Sequence, residues 1–337
     1  MNPADRRDGG NMHAAWREGR VLITGATGLL GSWLVEAVLA RGGEPVALVR
    51  DGVPDARFHA AGLDRRTVVV RGALEDFALV ERVVNEYDVA TVFHLGAQTL
   101  VATANRSPLS TFEANIRGTW HVLEAVRTSP WVKRVVVASS DKAYGRQSDL
   151  PYREETPLLG RHPYDVSKAC ADLLAQAYAH TYGLAAVVAR CGNLFGGGDL
   201  NFNRLVPGVI RDLLAGRRPL IRSDGTPKRD YLYVKDAADG YCRLAERADE
   251  EGVRGRAFNF GTHTPRTPLE VTARIARLAG REELAPDVRA TWKGEIQDQV
   301  LDAGLAREVL GWTPAYDFDA ALAETLDWYR AYLADPR

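Results

Sequence analysis

Cysteine is scarce: Cys170, Cys191 and Cys242 are the three in 337 residues, odd in number and widely spaced. That excludes a disulfide framework and any paired-cysteine metal site, and it predicts a reducing, cytoplasmic setting with no bound metal. Charge of one sign is also lacking. Forty-three Lys and Arg against 44 Asp and Glu leave a formal net charge of -1, which supplies no cationic footprint for a nucleic acid. No stretch approaches the roughly 18 consecutive apolar residues that a bilayer crossing needs. Residues 1–19 hold Arg6, Arg7, Asp8, Trp16 and Arg17 without the apolar core of a secretion signal. They are expected to form a disordered leader, and a small molecule is the expected partner rather than a membrane or nucleic acid.

What is present is a 46% hydrophobic chain laid out in alternating runs. Val21-Leu22-Ile23 precedes a helical stretch from Leu29 to Arg41, and Val46-Ala47-Leu48-Val49 and Val68-Val69-Val70 follow as strands. A helix from Asp76 to Asn85, the run Thr91-Val92-Phe93-His94, a long helix around Thr111 to Arg127 and the run Val135-Val136-Val137-Ala138 continue the pattern. After Pro163 an amphipathic helix reaches about Tyr182, and Ala185-Ala186-Val187-Val188-Ala189 gives another buried strand. Wholly apolar strands separated by helices predict an α/β fold with a parallel sheet covered on both faces. Beyond Gly192, Gly196-Gly197-Gly198 and several prolines shorten the elements, which predicts a smaller lobe over a shared cleft.

The first strand runs into Thr24-Gly25-Ala26-Thr27-Gly28-Leu29-Leu30-Gly31. Glycines at this spacing permit a tight turn, let the backbone approach a pyrophosphate and allow close helix packing, while the following helix offers unsatisfied amides to the anion. Gly25, Thr27, Gly28, Leu29, Leu30 and Gly31 are therefore candidate cofactor contacts in a Rossmann-type doubly wound sheet over residues 20–191. The remainder, 192–337, is expected to be mainly a substrate-binding lobe, with 230–262 returning to the first domain. At the end of the second strand Arg50 can pair with a 2′-phosphate, which tips the expectation from NAD toward NADP.

Tyr164 and Lys168 lie four apart, neighbours on one helix face. An adjacent ammonium favours a phenolate, so the pair can take a proton from an alcohol. Ser140 follows the strand 135–138 at its carboxyl end, where open parallel sheets bind ligands.

Together with Phe93-His94-Leu95-Gly96-Ala97-Gln98, these motifs resemble the extended short-chain dehydrogenase/reductase family over nearly the whole chain after residue 20. Within it, Ser140-Asp141-Lys142-Ala143-Tyr144-Gly145 is most similar to the nucleotide-sugar 4,6-dehydratases of the CDP-glucose type; in dTDP-glucose relatives the third position is Glu. The resemblance implies oxidation of a hexose at C4, elimination of water across C5 and C6 with Asp141 as acid and Lys142 as base, and return of hydride to C6. It further implies cofactor contacts at Leu74, Glu75, Leu95 and Ala97, substrate contacts at Gln98, Asn193, Arg204 and Arg229, and a homodimer built on the helices near 111–127 and 163–182.

Three functions compete: this lyase, a nucleotide-sugar 4-epimerase needing Ser140, Tyr164 and Lys168 alone, and a silent dinucleotide sensor. Asp141 and Lys142 as a solvated loop pair, and Arg229 as an ion-pair partner of Asp230, are the plainer alternatives for those residues. The run Gln297-Asp298-Gln299 departs from relatives that carry an arginine there. His94 and Cys191 read as core groups, Tyr144 and Trp120 as packing residues, and Asp76 as a helix cap.

Overall fold

The computed structural model describes residues 15–291 and 296–334. Strands β1 (Arg20–Thr24), β2 (Pro45–Val49), β3 (Val68–Arg71), β4 (Val89–His94), β5 (Arg134–Ala138) and β6 (Ala186–Cys191) belong to one sheet. β7 (Asn193–Phe195), β8 (Leu220–Ile221), β9 (Lys228–Arg229) and β10 (Tyr231–Tyr233) are short, and β11 (Ala257–Phe260), β12 (Asp287–Val288) and β13 (Asp298–Gln299) follow. The large sheet has seven parallel strands in the order β11-β6-β5-β4-β1-β2-β3. Its reversal between β1 and β4 opens the crevice in which such sheets hold ligands.

β2, β4 and β6 are buried along their whole length, as expected of strands covered on both faces. Helices Leu29–Ala40 and Val234–Arg247 cover one face through Leu34, Val35, Val38, Tyr241 and Leu244. Helices Phe77–Glu86, Gly118–Thr128 and Pro163–Tyr182 cover the other through Val80, Val84, Val122, Leu123 and Ala175. Asp76 caps its helix, accepting from Leu79 N at 3.1 Å. The smaller lobe has its own core of Ile210, Tyr231, Ile275, Leu326 and Tyr329. Among the described residues no helix is long and apolar enough to cross a membrane.

Three sequence expectations change. Residues 15–19 are not a loose leader: Ala15–Arg17 form a helical turn, and Trp16 is buried, stacked on Phe93 with its Nε1 donating to Glu246 at 2.9 Å. The rest of the expected leader, 1–14, lies outside the described residues. The long helix expected from Thr111 is interrupted by a wide π turn at Glu113–Arg117, which swings Asn115 inward. Trp120 is not a packing residue; it stands 42% exposed on the outer face.

Arg190 on β6 is buried against Asp172 of the helix Pro163–Tyr182. Its Nε and Nη2 donate to the two carboxylate oxygens at 2.8 and 2.9 Å, and Nη1 donates to the Tyr144 hydroxyl at 2.8 Å. Removing one partner of a buried pair leaves the other charge uncompensated, so Asp172→Ala is expected to cost about 3–5 kcal/mol in a urea titration.

Candidate active site

The cleft holds about 820 Å³ and runs from the glycine loop to the small lobe. At its β1 end the sequence can make only one tight shape. Gly25 has φ +73°, and a Cβ on Gly31 would lie 2.1 Å from the Gly25 carbonyl, so the helix Leu29–Ala40 packs directly onto the turn. Gly28 precedes that helix with no side-chain cap, leaving the first amides facing the cleft for an anion. Thr24 Oγ1 braces the neighbouring loop, accepting from Leu95 N and Gly96 N at 3.0 and 2.9 Å. His94 bridges Thr24 and Thr119 at 2.9 and 3.0 Å, and burial pushes its imidazole down to about 3. It is a neutral core group.

At the opposite wall, Ser140 begins a tight turn over Asp141–Tyr144. Its Oγ accepts from Lys142 N at 3.2 Å and donates to Asp141 Oδ1 at 3.1 Å. Asp141 is 2% exposed, and its Oδ2 has no hydrogen-bond partner among the described residues. The Lys142 ammonium donates to Gln299 Oε1 on β13. Asp141 and Lys142 are thus no solvated loop pair: both line the cleft.

Tyr164 stands in the first turn of a helix opened by Pro163, and Lys168 one turn on. Burial pushes the Tyr164 phenol up to about 12, while its hydrogen bond with Ser140 and the Arg204 guanidinium pull the other way. Lys168 donates instead to the Ala138 carbonyl at 2.8 Å, and burial pushes it down to about 8. The downward pull on Tyr164 expected from Lys168 therefore comes from Ser140 and Arg204. Cys191 lies under this group as a buried thiol raised to about 12 by burial, inert in that state.

The model of the NAD dependent epimerase/dehydratase family matches residues 21–261. The chain belongs to that family. A dTDP-glucose 4,6-dehydratase of Mycolicibacterium smegmatis is 33% identical over 93% of this chain and 93% of its own. A CDP-glucose 4,6-dehydratase of Salmonella typhimurium is 30% identical over 94% of this chain and 92% of its own. Among solved structures, DesIV, a dTDP-glucose 4,6-dehydratase of Streptomyces venezuelae with NAD bound, superposes with a TM-score of 0.84 at 28% identity, covering 93% of this chain and 97% of that one.

The site draws on distant segments of the chain, and several placements differ from the sequence expectation. Leu29, Leu30, Leu74, Glu75, Leu95 and Ala97 line the cleft, as do Asn193 and Arg204. Arg204 is braced by Asp199 at 3.0 Å. Gln98 does not line it; its Oε1 folds back to accept from Leu100 N at 2.9 Å, in a side cleft with Arg50 and Glu75. Arg229 reaches the cleft wall, yet its guanidinium donates to the carbonyls of Lys228, Gln297 and Ile296 at 2.8, 3.0 and 2.6 Å. It pins the strand carrying Gln299, and Asp230 bonds Thr262 instead.

Asn115 was missed by sequence reasoning. It accepts from Gln98 N at 2.6 Å and donates to Ser167 Oγ at 2.8 Å, tying the loop after β4 to the helix of Tyr164 and Lys168. The segment Glu113-Ala114-Asn115-Ile116-Arg117 carries charged residues on both sides of Asn115, so no local signal set it apart. Gln299 was seen only as a departure from relatives; nothing local linked it to Lys142.

Proposed function

We propose that the chain is a nucleotide-diphosphate-hexose 4,6-dehydratase, a lyase yielding a 4-keto-6-deoxy sugar nucleotide. The observation that carries this reading is the buried turn that brings Asp141 and Lys142 into one cleft with Ser140 and Tyr164. The glycine cradle, with uncapped amides at the start of a 12-residue helix, fits the pyrophosphate of a dinucleotide held also by Leu74, Glu75, Leu95 and Ala97. Bound there in its oxidised form, a nicotinamide dinucleotide supplies a cationic ring and takes up, then gives back, one hydride.

The residues carry the protons. Tyr164, oriented by Ser140, takes the proton of the C4 hydroxyl. A ketone at C4 acidifies the C5 proton, which Lys142 removes, while Asp141 gives its proton to the C6 oxygen as water leaves. Asp141 Oδ2, which has no hydrogen-bond partner among the described residues, is the oxygen left to meet the C6 hydroxyl of the substrate. Lys142 returns its proton to C5, and the proton left on Tyr164 replaces the one lost from Asp141. Ser140, hydrogen-bonded to both, is the short route between them. Asn193, Arg204 and the cleft face of Arg229 are the substrate side.

A 4-epimerase would use Ser140, Tyr164 and Lys168 but has no task for Asp141 and Lys142. Incubation with CDP-, dTDP-, UDP- and GDP-hexoses tests the choice: a product lighter by one water is expected, and a product of unchanged mass with inverted C4 would overturn it.

The dinucleotide is NAD in this reading, against the lean to NADP that Arg50 suggested. Arg50 Nε is paired with Asp51 at 2.7 Å, so the guanidinium is already engaged and a carboxylate stands where a 2′-phosphate would come. Calorimetric titration is expected to show NAD bound at least about tenfold more tightly than NADP. The enzyme is a cytoplasmic homodimer in the same reading. Leu109 and Trp120 on the segment 108–128, and Leu173 and Tyr182 on the helix Pro163–Tyr182, are exposed apolar side chains on the two helices expected to pair.

A further inference from the structure

Gln299 is wholly buried on β13, in register with Arg229 on β9. Its Oε1 accepts the Nζ of Lys142, which lies 157 positions away in the chain. Its Nε2 is buried with no hydrogen-bond partner among the described residues. A buried amide that satisfies one end and strands the other is costly, and an apolar side chain of the same size would fill the space without that cost. The amide is therefore held in place for its oxygen.

We propose that Gln299 is a positioning residue for Lys142: its carbonyl holds one N–H of the side chain so that the nitrogen stays at the cleft wall in both its charged and neutral forms. This rests on the reading of Lys142 as the C5 base. An amide suits that task where a carboxylate does not. A carboxylate would favour the ammonium and keep the proton on the nitrogen, whereas an amide oxygen accepts from ammonium and amine alike and carries no charge. The strand that presents Gln299 is itself pinned, because Arg229 donates to the carbonyls of Ile296 and Gln297 just before it.

Among the described residues, the groups around Lys142 include Ser140 and Asp141 on its own turn, Asp165 from the helix Pro163–Tyr182 and Gln299 from β13, and Tyr164 lines the same cleft. Arg229 is beside Gln299 in register; Asp141 acts electrostatically on Asp230, and Asp141, Arg229 and Asp298 act on Tyr152.

The test uses the full chain with dTDP-glucose and CDP-glucose as probes, following loss of one water by mass and kcat/KM against pH. Gln299→Glu is expected to move the acidic limb upward by about one pH unit or more, since an adjacent carboxylate stabilises the ammonium. Gln299→Met is expected to lower kcat about tenfold or more with KM changed less than about twofold. A folded Gln299→Glu whose profile superimposes on the wild type, with only Tm lowered, overturns the proposal. If that variant does not fold, an unchanged kcat in Gln299→Met overturns it. Lys142→Met separates this inference from the reading beneath it. Dehydration that survives Lys142→Met defeats both, whereas dehydration lost there while both 299 variants match the wild type defeats the role of Gln299 alone.

Discussion

Tyr164→Phe is expected to lower dehydration about a thousandfold, roughly 4 kcal/mol of transition-state stabilisation, with little change in substrate binding. In the proposed reaction Tyr164 accepts the proton of the C4 hydroxyl, and the substitution removes only the oxygen of its side chain. The ring remains to pack in the first turn of the helix Pro163–Tyr182, so the melting temperature should stay close to that of the wild type. The phenol rests protonated, pushed up to about 12 by burial, so positive charge arriving with the bound dinucleotide is needed before it takes a proton. Single-turnover mixing with enzyme in excess, watching near-ultraviolet absorbance of the reduced dinucleotide, measures the step directly. A variant within tenfold of the wild type would remove Tyr164 from the reaction.

The double variant Asp141→Asn, Lys142→Met is expected to abolish release of water, a loss of about a thousandfold or more, because elimination needs both a base at C5 and an acid at C6. The oxidation at C4 should survive, since Ser140, Tyr164 and Lys168 are untouched; reduced dinucleotide would then accumulate without a product lighter by one water. This pattern separates the two enzymatic readings. Full turnover in the double variant would make the chain an epimerase, and no dinucleotide reduction in the wild type with any sugar nucleotide would leave only the silent sensor. Because Ser140 Oγ donates to Asp141 Oδ1 and accepts from Lys142 N, the single variants are expected to be non-additive with each other.

Much of the fold was legible because its signals are local. An apolar run of four or five residues bounded by turns reads as a covered strand wherever it sits, and the glycine loop gains its meaning from the strand before it and the helix after it. Tyr164 and Lys168 were legible because four positions on a helix make neighbours. Where local pattern met tertiary context, the context prevailed. Arg229 was expected at a phosphate but spends its donors on backbone carbonyls, and Gln98 turns back onto its own loop. Trp16 was assigned to a leader because residues 1–19 hold no long apolar run, yet it docks on Phe93 from a strand more than seventy residues later.

The sequence by itself determined the α/β layering, the strand–glycine turn–helix unit and the placing of Tyr164 and Lys168 one turn apart on one helix, since each depends on spacing within one segment or one strand-to-helix unit. Only the tertiary structure decided which charges are buried and whom each polar group meets. Asp172 with Arg190, Asn115 with Ser167, and Lys142 with Gln299 join segments 18, 52 and 157 positions apart. Such contacts follow from the order of strands in the sheet and the docking of the small lobe, so no periodicity in the chain announces them. The electrostatics of Tyr164 and Lys168 follow from the same burial, which spacing alone does not carry.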